Sequence, residues 1–390
     1  MRFRGATACI VLAIAGIACR ASGVADDEVA RGATFATLVE LGEALFHDTN
    51  LSRTRTQSCA SCHDPARAFS EPVTGRVGGA VSTSADGTQL GARNAPPLTY
   101  AALVPPLHRD AEGNPAGGLF HDGRVDDLAT QAGQPMLNPL EMQMPDAASV
   151  VARVRENPRY VQASRELVDV DLAGAVDLAF ASIGQALAAF ERSPAFLAFD
   201  SRYDRALRGE LELSDEEQRG RDLFFSALTN CSRCHLLDAV QRSASEPFTT
   251  HRYFNVGTPP NHAVRAINGY LPHAIDAGLA ANPAIADVAY SGRFRVPTLR
   301  NVAVTGPYMH NGVFRELSTV VFFYNQYQGR SAAFRVNPET GEPWHAPEVP
   351  ETIDAERLRE GQPMEADRIA LIVAFLRALT DRRFEHLLAE

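Results

Sequence analysis

Two stretches of this chain, Cys59-Ala60-Ser61-Cys62-His63 and Cys231-Ser232-Arg233-Cys234-His235, set two thiols one helical turn apart with an imidazole directly after the second. Each thiol can add to a vinyl group of a haem, and the adjacent imidazole then falls under the porphyrin face as an axial ligand of the iron. A single Cys-x-x-Cys pair also serves zinc or redox chemistry, or arises by chance. Here the pattern occurs twice, each time ending in His and each time after an amphipathic segment ending in Phe. The chemistry that fits both copies is covalent attachment of two haems.

Cysteine usage and the N-terminus point the same way. Of six cysteines, four belong to the two pentapeptides, and Cys9 and Cys19 fall within the first 25 residues, so none is left for a disulfide. The start is basic, Met1-Arg2-Phe3-Arg4, and runs into an apolar stretch over 6–18. That stretch is too short to span a bilayer and has the form of a secretory signal. Gly23, Val24 and Ala25 offer cleavage before Asp26, and Cys19 offers a lipid anchor as the alternative. Covalent haem attachment belongs outside the cytoplasm, so a periplasmic location is expected. The formal net charge is −10, and removing residues 1–25 takes away Arg2, Arg4 and Arg20 and no acid, which leaves −13. A surplus of negative charge argues against nucleic acid as a partner.

The elements that must position the pentapeptides are helical. Over 37–46, Leu38, Leu41, Leu45 and Phe46 recur at three- and four-residue steps and predict a helix. Ser214 with Glu217 forms a capping box that opens a helix through Leu223, Phe224 and Phe225 into the second pentapeptide. Helix, Leu-Phe and pentapeptide therefore occur twice, an internal repeat. Further helices are predicted from about 126, over 150–168 with a break at Asn157-Pro158, over 176–190, over 317–324 and over 366–379. The stretches 64–93, 240–290 and 328–363 read as loop, and strand signals are scarce. The expectation is a mostly α protein of 390 residues, long enough for two domains, with the boundary near 194–209.

At the level of motifs the chain resembles the bacterial dihaem cytochrome c peroxidase and MauG superfamily. The resemblance runs over residues 35–385 and rests on both pentapeptides and five further stretches. These are Arg93-Asn94-Ala95-Pro96, Asp122-Gly123-Arg124, Pro139-Leu140-Glu141-Met142, Pro297-Thr298-Leu299-Arg300-Asn301 and Pro307-Tyr308-Met309-His310-Asn311-Gly312. It implies two cytochrome c-like domains, each with one covalent haem: 26–200 after a signal at 1–25, and 201–390 closed by the helix at 366–379. It implies His63 as proximal ligand of a peroxide-reactive haem, with Gln131 and Glu141 in its distal pocket, and His235 as ligand of a second haem. A calcium ion between the two would be held by Asn94 and by the carbonyls of Thr305 and Pro307. Peroxide O–O cleavage needs a group that takes a proton from one oxygen and delivers it to the other, which suits a carboxylate in an apolar pocket such as Glu141.

Three departures place the chain within that superfamily. Conventional peroxidases of the family carry a histidine in the loop after the first pentapeptide that blocks the reactive iron, and here no His occurs between His63 and His108. The distal ligand of the second haem is usually methionine; the matching place, counted from Pro307, is Tyr324, as in the MauG-like branch. A tryptophan between the haems normally precedes Asp-Gly-Arg, and here that residue is His121, expected to couple the haems as a polar bridge. The sole tryptophan, Trp344, reads as a loop anchor. The resemblance implies an enzyme that uses hydrogen peroxide to form high-valent haem iron and oxidises a partner protein, possibly at a tryptophan side chain. A peroxidase fed by a small cytochrome or cupredoxin is the alternative. A non-catalytic dihaem electron carrier is a third, which Glu141 and Gln131 argue against.

Overall fold

The segment ahead of the first pentapeptide folds as the helix Leu38–Phe46, capped by Thr37, whose hydroxyl accepts from the Glu40 N–H at 3.2 Å. The segment ahead of the second folds as Asp215–Phe224, with the expected capping box: the Ser214 N–H donates to Glu217 at 2.8 Å and the Glu217 N–H to Ser214 at 3.2 Å. The computed structural model describes residues 35–236, 245–269 and 274–389. The signal segment and Cys19 lie outside the described residues.

The internal repeat is structural as well as sequential. Leu38–Phe46 crosses Val176–Glu191, and Asp215–Phe224 crosses Ala366–Arg377. Each crossing is made at a glycine: a Cβ on Gly42 would run into the Ala186 carbonyl, and a Cβ on Gly220 into the Leu371 carbonyl. Backbones this close leave no room for a methyl group, and backbone cannot swing aside as a side chain can. Each crossing also pairs a phenylalanine from the first helix with one from the second, Phe46 with Phe190 at 5.3 Å and Phe224 with Phe375 at 5.2 Å. Gly220→Ala is expected to destabilise the protein by about 1–3 kcal/mol, the usual cost of overpacking. A urea unfolding midpoint equal to the parent's would show that the two helices part without strain.

Around each crossing lies one apolar core. The first gathers Leu41, Leu45, Phe46, Met136, Ile183 and Phe196, and Val304 and Phe384 reach it from the C-terminal part of the chain. The second gathers Tyr203, Phe224, Phe248, Ile372, Phe375 and Leu376. A polar seam ties the halves together. The Tyr100 hydroxyl donates to Asp381 at 2.6 Å, and the Asn301 amide donates to the other oxygen of Asp381 at 2.8 Å. Nearby, Arg300 and Asp204, both without exposure, form a two-pronged pair at 2.8 and 3.0 Å. Removing one partner of such a pair leaves a bare buried charge, so this link resists change at either end.

The helices Leu128–Leu137, Ala147–Arg155 and Pro158–Val168 follow the reading from sequence, with Asn157 capping the last and Pro158 opening it. Among the described residues strand is confined to two antiparallel pairs of two-residue strands, His108–Arg109 with Pro115–Ala116 and Tyr253–Phe254 with Phe294–Arg295. The chain is mostly helical, as expected. Three short helices were not anticipated: Arg202–Leu207 in the stretch read as the domain boundary, Ala355–Leu358 in a stretch read as loop, and His262–Asn268, capped by Asn261 and ended by Gly269 in a left-handed conformation, in another. Seven residues or fewer are too few for an apolar period to register. Among the described residues no helix is long and apolar enough to cross a membrane.

Candidate active site

The first pentapeptide is a single helical turn, Cys59–Cys62, with His63 as its C-cap donating its N–H to the Cys59 carbonyl at 2.9 Å. Ser58 and Ser61 close the start of the turn, the Ser58 N–H donating to the Ser61 hydroxyl at 2.9 Å. His63 Nδ1 donates to the Phe69 carbonyl at 3.2 Å, and His235 Nδ1 donates to the Phe248 carbonyl at 3.3 Å. The acceptor in each case is a carbonyl, so Nδ1 carries the proton and Nε2 keeps its lone pair. Both phenylalanines sit in the left-handed region, φ 55° and φ 54°, a costly conformation that turns the carbonyl toward the ring. Burial lowers both imidazoles to about 4, so both are neutral at neutral pH. None of the four pentapeptide cysteines is in a disulfide.

Cys59, Cys62 and His63 line a cavity of about 700 Å³ that Gln131, Pro135 and Glu141 also line. Leu128–Leu137 carries Gln131, and the chain turns at Asn138, whose side chain accepts the Leu140 N–H at 2.9 Å, to bring Glu141 back to the cavity. The Glu141 backbone is held at both ends, its N–H on the Asn138 carbonyl at 3.0 Å and its carbonyl taking the Ala85 N–H at 2.8 Å. Burial raises the Glu141 pKa, against the lowering pull of Arg124 and Asn138. Arg124 is pinned by Asp122 at 2.8 Å, Asp122 by Arg93 at 2.6 Å, and Arg93 by Asp276 at 2.6 Å.

His121 lines the same cavity. Its Nε2 donates to the Asn94 carbonyl at 2.9 Å, and burial, then Arg93, lower its pKa to about 4. The Asn94 N–H donates to the His310 carbonyl at 2.8 Å, and its side-chain amide donates to the Ala80 carbonyl at 3.0 Å. Asn94 therefore joins His121 to the 305–310 segment, in which Thr305 and Pro307 are both buried. Tyr324 caps the helix Leu317–Phe323. Burial pushes its phenol well above the ordinary value, and the thiols of Cys234 and Cys231 are the next contributors, which puts Tyr324 beside the second pentapeptide. Trp344 donates Nε1–H to the Phe334 carbonyl at 3.0 Å and packs edge-on against Phe323, the anchor read from sequence.

Two buried carboxyls went unread. Glu71 accepts from the Ser82 hydroxyl, and burial raises its pKa to about 7. Glu191 is raised by burial to about 8, lines the cavity, and has one oxygen without a partner among the described residues. Glu191 was within reach of the sequence, because it stands four and eight residues after Leu187 and Ile183 on the apolar face of its helix. Glu71 sits in a loop and gives no such signal.

Residues 36–212 match the family described as di-haem cytochrome c peroxidase. The chain is 49% identical over 353 residues to the methylamine utilization protein MauG of Paracoccus denitrificans, a match that takes in 90% of this chain and 91% of that one. The chain belongs to the MauG and di-haem cytochrome c peroxidase family. Two solved structures of that kind are similar in fold. The dihaem peroxidase BthA of Burkholderia thailandensis E264 has a TM-score of 0.79 at 30% identity, covering 90% of this chain and 88% of its own. A MauG-like protein associated with microbial copper homeostasis has a TM-score of 0.66 at 30% identity, covering 91% and 94%. This member of the family is a dihaem peroxidase-type oxidoreductase with two haem c groups. Its residues fit that cofactor at both pentapeptides: paired cysteines outside any disulfide, a neutral histidine whose Nδ1 carries the proton, and at the first a cavity of the size ligand pockets have.

Proposed function

We propose that this is an exported MauG-like enzyme that takes hydrogen peroxide as oxidant and withdraws electrons from a separate protein, at a side chain such as tryptophan. The observation that carries the proposal is what lines the cavity beside His63. The loop from 64 to 107 supplies no histidine. Of the two other histidines lining the cavity, His121 donates from Nε2 to the Asn94 carbonyl and His310 is stacked on Phe294 at 3.5 Å. Gln131 and Glu141 line the same cavity. Haem supplies the iron at which peroxide binds and is reduced, and a second haem supplies a path for electrons. Glu141 takes the proton of the incoming peroxide and returns it to the departing oxygen, and Gln131 orients the peroxide by its amide.

In this reading Cys59, Cys62 and His63 would hold the first haem, and Cys231, Cys234, His235 and Tyr324 would hold the second. A calcium ion between them would sit on neutral oxygens, the side chain of Asn94 and the carbonyls of Thr305 and Pro307. The Asn94 amide nitrogen is already spent on Ala80, which frees its oxygen to face a cation. His121 links the haems through Asn94 as a hydrogen-bonded bridge. Covalent haem attachment, which belongs outside the cytoplasm, supports a periplasmic enzyme that meets its protein partner and peroxide there.

The test is reaction with peroxide before any reduction. The as-isolated ferric protein is expected to show one high-spin haem by electron paramagnetic resonance and to react with peroxide in stopped-flow mixing at once. A protein with two low-spin haems that reacts only after partial reduction would instead be a conventional cytochrome c peroxidase, fed by a small cytochrome or cupredoxin.

A further inference from the structure

Four arginines line the cavity that holds the first pentapeptide, and three of them have carboxylate partners. Arg93 is bound to Asp122 and Asp276, Arg124 to Asp122, and Arg265 to Glu348. Arg295 differs. It has no carboxylate in ion-pair reach among the described residues, and its side chain makes one hydrogen bond, from Nε to the Phe120 carbonyl at a long 3.4 Å. Burial lowers its pKa, and the one ionisable group that works against this is the Tyr253 phenol. Its backbone is fixed on a two-residue strand, paired with Tyr253 and donating its N–H to the His121 carbonyl at 2.9 Å, so the side chain springs from a fixed point beside His121. Taking a guanidinium out of water without a counter-charge is costly, and replacing it by an apolar side chain of similar length would then be an improvement. An arginine kept in such a place implies an anion that these residues do not include.

We propose that Arg295 is the ion-pair partner of a propionate of the first haem. The ligand class is a carboxylate carried into the cavity by the porphyrin, and Arg295 is the cavity cation left free to meet it with a planar fork of donors. The position next to His121 sets that propionate at the side of the cavity where His121 and Asn94 lie. The proposal rests on the reading that the first haem fills this cavity.

Arg295→Met separates the outcomes, with mass spectrometry first confirming two haems on the variant; fewer than two on the parent protein would defeat the haem reading itself. The variant is expected to show a lower thermal midpoint than the parent and a shifted propionate bending band in resonance Raman spectra. A raised thermal midpoint with an unaltered band would overturn the proposal, because removing an unpaired buried cation stabilises. Should Arg295→Met yield no holoprotein, Arg295→Lys keeps the charge but loses the fork. It is expected to bind both haems and shift the propionate band, and an unshifted band in that variant would also sink the assignment.

Discussion

Glu141→Gln is expected to slow the reaction with hydrogen peroxide by roughly 10²–10⁴, the usual worth of a positioned acid–base group. The glutamine matches the carboxyl in size and can still hydrogen-bond, so the cavity and its contents stay in place. What it cannot do is accept the proton that peroxide must lose and hand it to the departing oxygen. The expected loss is about 3–5 kcal/mol of barrier. The structure adds a sign for pH. Burial raises the pKa of Glu141, and Arg124 and Asn138 only partly oppose it. A base works as the carboxylate, so the rate is expected to be full on the alkaline side and to fall as pH drops through a value above the ordinary carboxylate range. In Glu141→Gln that fall should vanish along with the rate. Stopped-flow mixing across pH checks both, and an unchanged rate would return Glu141 to a merely structural role.

Arg124 bears on the same balance. It holds the Glu141 pKa down and is itself pinned by Asp122, which Arg93 and Asp276 brace in turn. Glu141 therefore works between burial, which favours the acid, and a braced guanidinium, which favours the base. That is the arrangement expected of a group that must both take and give a proton.

Much of this was legible in the sequence because the signals are local. A pentapeptide, a Ser-x-x-Glu box and a three-four apolar period are each decided within a few residues, and the helices around them follow closely. The repeat of helix, Leu-Phe and pentapeptide could be read, but not that Gly42 and Gly220 are what let the crossing helices touch, since a glycine in a helix looks the same wherever it points. His121 was read as a polar bridge, and the structure gives it a partner, the Asn94 carbonyl. Arg295 and Glu71 were not read at all. Their meaning lies in what surrounds them, carboxylates missing from one and burial imposed on the other, and long-range neighbours leave no trace in spacing.

Tyr324→Met is expected to raise the midpoint potential of the second haem by some hundreds of millivolts, on the order of a third of the roughly 0.8 V that axial ligands span. The argument begins with the side chain as it stands. Tyr324 ends the helix Leu317–Phe323, and burial holds its phenol in the protonated form. Tyr324 is half-buried, and among the described residues its hydroxyl makes no hydrogen bond, which leaves the oxygen open to a ligand. The groups beside it are the thiols of Cys231 and Cys234, the pair proposed to carry the second haem. An iron held by His235 would bind the oxygen as phenolate and displace the phenol proton to solvent, since a ligand must be deprotonated to bind. A phenolate is an anionic oxygen donor and stabilises the oxidised metal, whereas a thioether is neutral and soft and favours the reduced one. The exchange keeps a flexible side chain in a site lined by Phe323, so packing survives while the donor changes. Spectroelectrochemical titration should find one haem shifted upward and the other in place. With the second haem made a reductant, the variant should also cease to hold an oxidising equivalent there, and so should lose oxidation of a protein partner while peroxide still reacts at the first haem. A potential that does not move would show that Tyr324 lies beside the iron without binding it.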